Sequence, residues 1–246
     1  MPAYRFGKNP PKHDYRTLRL KKYLGAALPP PPQSYNVLAT VFDKLHTTDA
    51  PALFPMDGND TLGDCTIAGV AHAITTYRGL IGKRNVMAKE AVTKLYLYLS
   101  GGVDSGLYEL DVLNYWRKNA VSGDKILAYA TVDVKNHTHI QQAIRLFGGV
   151  YLGFQVQENC VELFNAGQPW VPAPLTPSGH AVFAVAYDAT SVTVLTWGGV
   201  QKGTWAWWDE CVDEAYAILP PEAKAADFAP GFNFAQLQAD LALVAN

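Results

Sequence analysis

The chain has 246 residues, of which 49% are hydrophobic, 12% aromatic and 17% charged. That much apolar material excludes a largely disordered chain and suffices for one large domain or two small ones. A formal net charge of -2 offers no basic surface for nucleic acid. Residues 1–34 read as an extended arm made basic by Lys8, Lys12, Arg16, Arg19, Lys21 and Lys22. Its basic N-terminus has no apolar stretch behind it, so no signal peptide is expected. The arm ends in Leu28-Pro29-Pro30-Pro31-Pro32, which favours polyproline II and cannot continue a helix. A strap lying over the domain surface is the expected arrangement.

Ser34–Leu45 predicts a short helix with Val37, Phe42 and Leu45 inward. Asp57-Gly58-Asn59-Asp60 is dense in turn formers. From Cys65 to Leu80, Ile67, Val70, Ala71 and Ile74 recur at helical spacing, with Asp64 as the expected N-cap. Ala88–Leu99 predicts a second helix, stopped by Gly101-Gly102. Tyr108–Asn119 predicts a third, with Leu110, Leu113 and Trp116 along one face.

The second half changes period. Ile126–Val132 and Val150–Val156 predict strands on either side of a helix over Thr138–Phe147. Gly167–Ser178 reads as a Pro-rich loop. Ala181–Tyr187 is a continuous apolar run, too short to span a bilayer and suited to a buried strand. Val192–Trp197, Thr204–Trp208 and Ala215–Leu219 are further strand candidates, and a terminal helix is expected near Ala235–Val244. Helices first and strands later predict an α+β fold. It is expected to divide into a helical lobe over about 35–122, a sheet lobe over about 123–220 and a tail over 221–246.

Three cysteines, Cys65, Cys160 and Cys211, do not make a disulfide framework and point to reduced thiols in a cytoplasmic protein. Cys65 opens a helix, where unpaired N–H groups and partial positive charge favour a thiolate and an oxyanion. Of the six histidines, His72 lies seven residues further along the same helix. At about 1.5 Å per residue that is about 10 Å from Cys65, too far to share a proton. His137 and His139 fall in a polar turn, and His13 and His46 in the arm and a loop. His180 follows Ser178-Gly179 at the start of the buried strand, where it can project toward a cleft. Asp209/Glu210 and Asp213/Glu214 read as a solvated edge. No Cys-x-x-Cys, His-Glu-x-x-His, Gly-x-Ser-x-Gly or phosphate-binding glycine motif occurs.

Asn59-Asp60-Thr61-Leu62-Gly63-Asp64-Cys65-Thr66-Ile67-Ala68 resembles the nucleophile segment of papain-like cysteine peptidases, closest to the bacterial and phage branch. Gly179-His180-Ala181-Val182, running on to Ala186-Tyr187-Asp188, resembles the family's histidine strand. Val194-Leu195-Thr196-Trp197-Gly198, then Gly203-Thr204-Trp205, resembles its Asn-Ser-Trp-Gly strand and turn. The resemblance covers about residues 50–218 and implies a two-lobe papain-like fold. It implies Cys65 as nucleophile, His180 as general base and acid, and the Cys65 N–H as one oxyanion donor. It also implies that Gly101 and Gly102 line the substrate cleft and that Trp197 shields the Cys/His pair.

Three positions depart from the family pattern. Asn59 stands where the oxyanion-donating Gln is usual, one methylene shorter, and Asp64 replaces the usual Ser. The residue that orients the histidine is normally Asn; here either Leu195 or Thr196 takes that place, depending on hairpin register. Only 64 residues precede Cys65, which leaves little room for an inhibitory pro-region; a narrow substrate, a cleft occluded by the arm with its proline run, and a chain that is not a peptidase are the three alternatives. The implied function is thiol hydrolysis of a peptide or isopeptide bond, with no metal or organic cofactor. The implied partner is a peptide or protein substrate rather than nucleic acid or a membrane. Acyl transfer by the same pair and a non-catalytic binding scaffold are the alternatives.

Overall fold

The run Cys65–Leu80 forms the central helix of a computed structural model of the chain, which describes residues 4–220 and 230–244. Thirteen of its sixteen residues are buried, as expected for a helix apolar on nearly every side. Two of its threonines bond to backbone carbonyls: Thr75 Oγ1 donates to Asn85 O at 2.7 Å and Thr76 Oγ1 to His72 O at 2.8 Å.

In chain order the elements are β1 (Leu18–Arg19), a 3-10 turn (Leu20–Lys22), β2 (Tyr35–Asn36), α1 (Val37–Leu45), α2 (Ala50–Leu53) and α3 (Cys65–Leu80). Next come α4 (Lys89–Leu99), α5 (Glu109–Lys118), β3 (Ala128–Thr131), α6 (His137–Phe147), β4 (Val150–Gln157) and α7 (Cys160–Asn165). The chain continues with β5 (Leu175–Tyr187), β6 (Ser191–Thr196), β7 (Gly199–Thr204), α8 (Trp205–Cys211), β8 (Val212–Leu219) and α9 (Phe234–Val244). Helices predominate before Lys118 and strands after it, so the fold is α+β. No helix among the described residues is long and apolar enough to cross a membrane.

One sheet carries the order β1-β3-β8-β4-β5-β6-β7, with β2 pairing the far end of β5. Among the described strand pairs only β1 and β3 run parallel. Helix α3 rests on this sheet through Tyr151 of β4, whose hydroxyl donates to Thr66 O at 2.9 Å. At that crossing a side chain on Gly69 would meet the Tyr151 ring at 2.8 Å, so only glycine lets helix and strand approach.

Several elements differ from the sequence expectations. Thr204–Trp208 is not a strand: Thr204 Oγ1 accepts from Trp207 N at 3.1 Å and caps α8, so the chain turns helical at Trp205. β5 begins at Leu175, inside the expected loop, because β4 runs on to Gln157 and pairs with it there. His137 and His139 lie in the first turn of α6, capped by Asn136, rather than in a free turn. Phe42 and Leu45 are only half-buried, whereas Leu38 and Val41 join Val37 in the core. The terminal helix expected near Ala235–Val244 is α9; residues 221–229 of the tail lie outside the described residues.

The arm is woven in rather than laid over. It contributes β1 to the sheet, and its proline run lies across α6 and the end of β5. There Gln142 Nε2 donates to Pro29 O at 2.6 Å and Tyr187 Oη to Pro32 O at 3.2 Å.

Candidate active site

Cys65 begins α3 fully buried. Asp64 holds the N-cap position but does not cap. Its carboxylate turns back to accept from Gly58 N at 3.1 Å and from Asn59 Nδ2. Burial pushes the Asp64 carboxyl up to about 7, aided by the charge of Asp57 and opposed by these hydrogen bonds. The Cys65 thiol is pushed up to about 12 by burial, against hydrogen bonds from the backbone of Ala181 and Gly7. The first of these donors is the neighbour of His180, so the thiol lies against the histidine strand.

His180 sits in β5, fully buried. Its Nε2 is hydrogen-bonded to Thr196 Oγ1 at 2.8 Å, and its Nδ1 has no hydrogen-bond partner among the described residues. Thr196, not Leu195, therefore faces the imidazole. Leu195 lies opposite Phe183 and points into the core, one step out of phase along β6. Burial pulls the His180 imidazole down to about 3, with the charge of His72 acting in the same direction.

Trp197 stacks on His180 with ring centroids 4.7 Å apart. It owes that position to a two-residue turn between β6 and β7, with φ of 50° at Trp197 and 75° at Gly198. A left-handed tryptophan costs of order 1–3 kcal/mol, a strain maintained here by the surrounding rings. Phe164 and Trp170 pack edge-on to it with centroids 5.1 and 5.9 Å away.

The N-terminal end of the arm packs against both Cys65 and His180. Tyr4 lies on Trp197 at 4.6 Å, and Phe6 meets His180 edge-on at 5.7 Å. Arg5 N donates to Asn59 O at 2.7 Å, Leu107 N to Gly7 O at 2.8 Å, and Lys8 N to Gly179 O at 3.1 Å. Gly7 and Gly63 pass backbone to backbone, since a side chain on Gly7 would reach 1.8 Å from Gly63 O. The Phe6–Gly7 peptide presents its N–H to the sulfur. Its carbonyl, on the opposite edge of the planar trans amide, faces away.

The sequence-derived residues thus separate into two groups. Cys65, His180, Thr196 and Trp197 come together around one groove. Asn59 lies at its rim with one of its two amide protons committed to Asp64. Gly101 and Gly102 lie elsewhere, in an exposed turn after α4 where an added side chain would meet nothing within 4 Å. The residues that border the arm are Gly106 and Leu107, five positions further on in each case. The proline run is not what occupies the groove; residues 4–9 are. His72 is buried in α3 with Nε2 3.0 Å from Pro55 O.

Neither a protein-family model nor a curated protein sequence matches the chain. Its structure does have counterparts. It is similar to xylellain, a cysteine protease from Xylella fastidiosa, with TM-score 0.63 and 19% identity over 88% of this chain and 96% of that one. It is similar to digestive procathepsin L 3 of Tenebrio molitor larval midgut, with TM-score 0.60 and 10% identity over 88% of this chain and 75% of the other. The Carica candamarcensis cysteine protease CMS1MS2 aligns over its whole length with 78% of this chain, at TM-score 0.54 and 14% identity. The helix that opens with Cys65 and the sheet that carries His180 are the two lobes of a papain-like fold, the fold of these cysteine proteases.

Proposed function

We propose that the chain is a thiol hydrolase that cleaves a peptide or isopeptide bond, with residues 4–9 as an internal plug over its groove. The observation that carries this reading is the His180 imidazole. It is bonded to Thr196 through Nε2 and, among the described residues, free of partners at Nδ1, beside a thiol that accepts the N–H of the next residue.

With the plug seated, burial favours a neutral thiol and a neutral imidazole, and the pair is inert. Displacing it admits water and polar substrate groups, which removes the desolvation that holds both groups uncharged. Nε2–H donated to Thr196 leaves a lone pair on Nδ1, which takes the thiol proton. The thiolate attacks the carbonyl carbon, and the Cys65 N–H, with the second amide proton of Asn59, receives the oxyanion. The imidazolium then protonates the leaving amine, and water activated by His180 hydrolyses the thioester.

The test is the rate of Cys65 alkylation by iodoacetamide from pH 5 to 9 in a Tyr4→Ala/Phe6→Ala chain, with and without His180→Ala. The reading requires rapid labelling well below the ordinary thiol pKa of about 8.5, lost with His180. Labelling that rises only near that value in both proteins would sink it and leave a non-catalytic scaffold.

A further inference from the structure

One residue beyond the sulfur, the side chain of Lys8 leaves the groove and enters a pocket in the sheet lobe. Its side chain is 1% exposed, with Nζ 2.9 Å from the Asp213 carboxylate and 3.1 Å from Glu214 Oε1. Tyr216 Oη donates to the other Glu214 oxygen at 2.8 Å. Glu109, at the start of α5, is wholly buried, and neither of its carboxylate oxygens has a hydrogen-bond partner among the described residues. The acidic pair Asp213/Glu214 is therefore no solvated edge. Glu214 lines the inside of the pocket, and Asp213, 32% exposed, marks its mouth.

Gly153 supplies the room. It lies in the middle of β4, at a register shift against β8, and its φ is not in the left-handed region that would call for glycine. A side chain there would stand 1.9 Å from Lys8 Cε and 2.9 Å from Glu109 Oε1. The missing Cβ is thus the space through which an unbranched stem passes between Glu109 and the strand. The backbone around Lys8 is held between Gly179 O and Leu107 as an added strand would be, the usual way a groove takes an extended peptide.

We propose that this pocket is the specificity pocket of the groove: it takes a lysine or arginine side chain of the peptide substrate, and Lys8 fills it as an internal mimic. Burial pushes the Glu109 and Glu214 carboxyls up, against the charge of Lys8, so these carboxyl groups stay ionised together only while a cation lies among them. An incoming lysine or arginine takes over that role, whereas a neutral or acidic side chain does not. Burial alone would discharge Lys8, but the charges of Glu109, Glu214 and Asp213 outweigh it and hold the ammonium above its ordinary range.

The substrate assignment rests on the hydrolase reading, but its test by binding does not. Full-length Cys65→Ser/Lys8→Ala protein, and Cys65→Ser/Lys8→Met as a variant that keeps the buried stem, are titrated with fluorescent pentapeptide amides. The peptides differ only at the central residue: lysine, arginine, norleucine or glutamate. Lysine and arginine peptides should bind at least tenfold tighter than the norleucine peptide, and the glutamate peptide most weakly. The preference should fall to within twofold in Glu109→Gln and in Glu214→Gln. Equal affinity for lysine and norleucine peptides, or no binding by any peptide, overturns the pocket assignment. Iodoacetamide labelling of the Lys8→Ala chain with Cys65 intact separates the two readings. Fast, His180-dependent labelling without a cation preference leaves the hydrolase and removes the pocket; a cation preference without it does the reverse.

Discussion

The groove over Cys65 and the pocket around Lys8 are adjacent along the arm and handle buried polar groups in opposite ways. At the sulfur end, Trp197, Phe6 and Phe154 enclose the imidazole, and burial leaves both partners uncharged. At the Lys8 end, counter-charges are brought in and the ammonium keeps its proton. An apolar cover asks only for a surface that excludes water. A charged pocket asks for one sign of charge. The first end can therefore be switched by whatever uncovers it, and the second discriminates among occupants.

The sharpest way to break that contrast is to remove the sulfur. Cys65→Ser in the Tyr4→Ala/Phe6→Ala chain should lower peptide hydrolysis about 10³-fold or more, measured on a fluorogenic peptide, while leaving the binding of lysine peptides intact. Next is Lys8→Ala, which strands three carboxyl groups in the pocket. Losing one partner of a buried ion pair costs about 3–5 kcal/mol. The cost should appear as release of the arm, so amide exchange at Arg5, position 8 and Asn9 should accelerate while α3 stays protected.

Stability against pH separates the two kinds of burial. Asp64 has its carboxyl raised from 3.8 to about 7, so the folded chain binds more protons than the unfolded one in that window. Its stabilising contribution is full below pH 3.8 and lost as pH rises through about 7. His180 has the opposite sign: its value is lowered from 6.5 to about 3, so its contribution is full above 6.5 and lost as pH falls. Urea unfolding between pH 4 and 6.5 should lose stability more steeply with rising pH in His180→Ala than in the parent. Asp64→Asn should change the slope the other way, each by about 1 kcal/mol per pH unit or less. The smallest effect is on orientation. Thr196→Val should lower kcat about tenfold with KM unchanged, and Thr196→Asn, which restores a hydrogen-bond acceptor, should recover most of it.

Local pattern carried much of the fold. The apolar stripe from Ile67 to Ile74 marks α3, and the run Ala181–Tyr187 marks the buried part of β5. Strand alternation narrowed the partner of His180 to Leu195 or Thr196. It could not choose between them, because the choice depends on a turn made by Trp197, which is no turn former by composition. Asp64 looks like a cap in one dimension; only the return of Gly58 and Asn59 diverts its carboxylate. The pocket was the least legible, since Lys8 and Asp213 lie 205 positions apart and their pairing has no local signature. One signal was available: a lone glycine inside the apolar strand Val150–Val156 marks a close approach, and Gly153 is where the Lys8 stem passes.

The amide that crosses the sulfur offers its N–H and turns its carbonyl away, so the plug is a poor substrate for the thiol beneath it. A plug that survives and stays tethered opens and recloses by a first-order step. Dilution leaves the closed fraction unchanged, and a free peptide must compete with an effective local concentration in the millimolar range. The same chain should be equally silent at nanomolar and micromolar concentration, and should respond only to ligands that displace the arm.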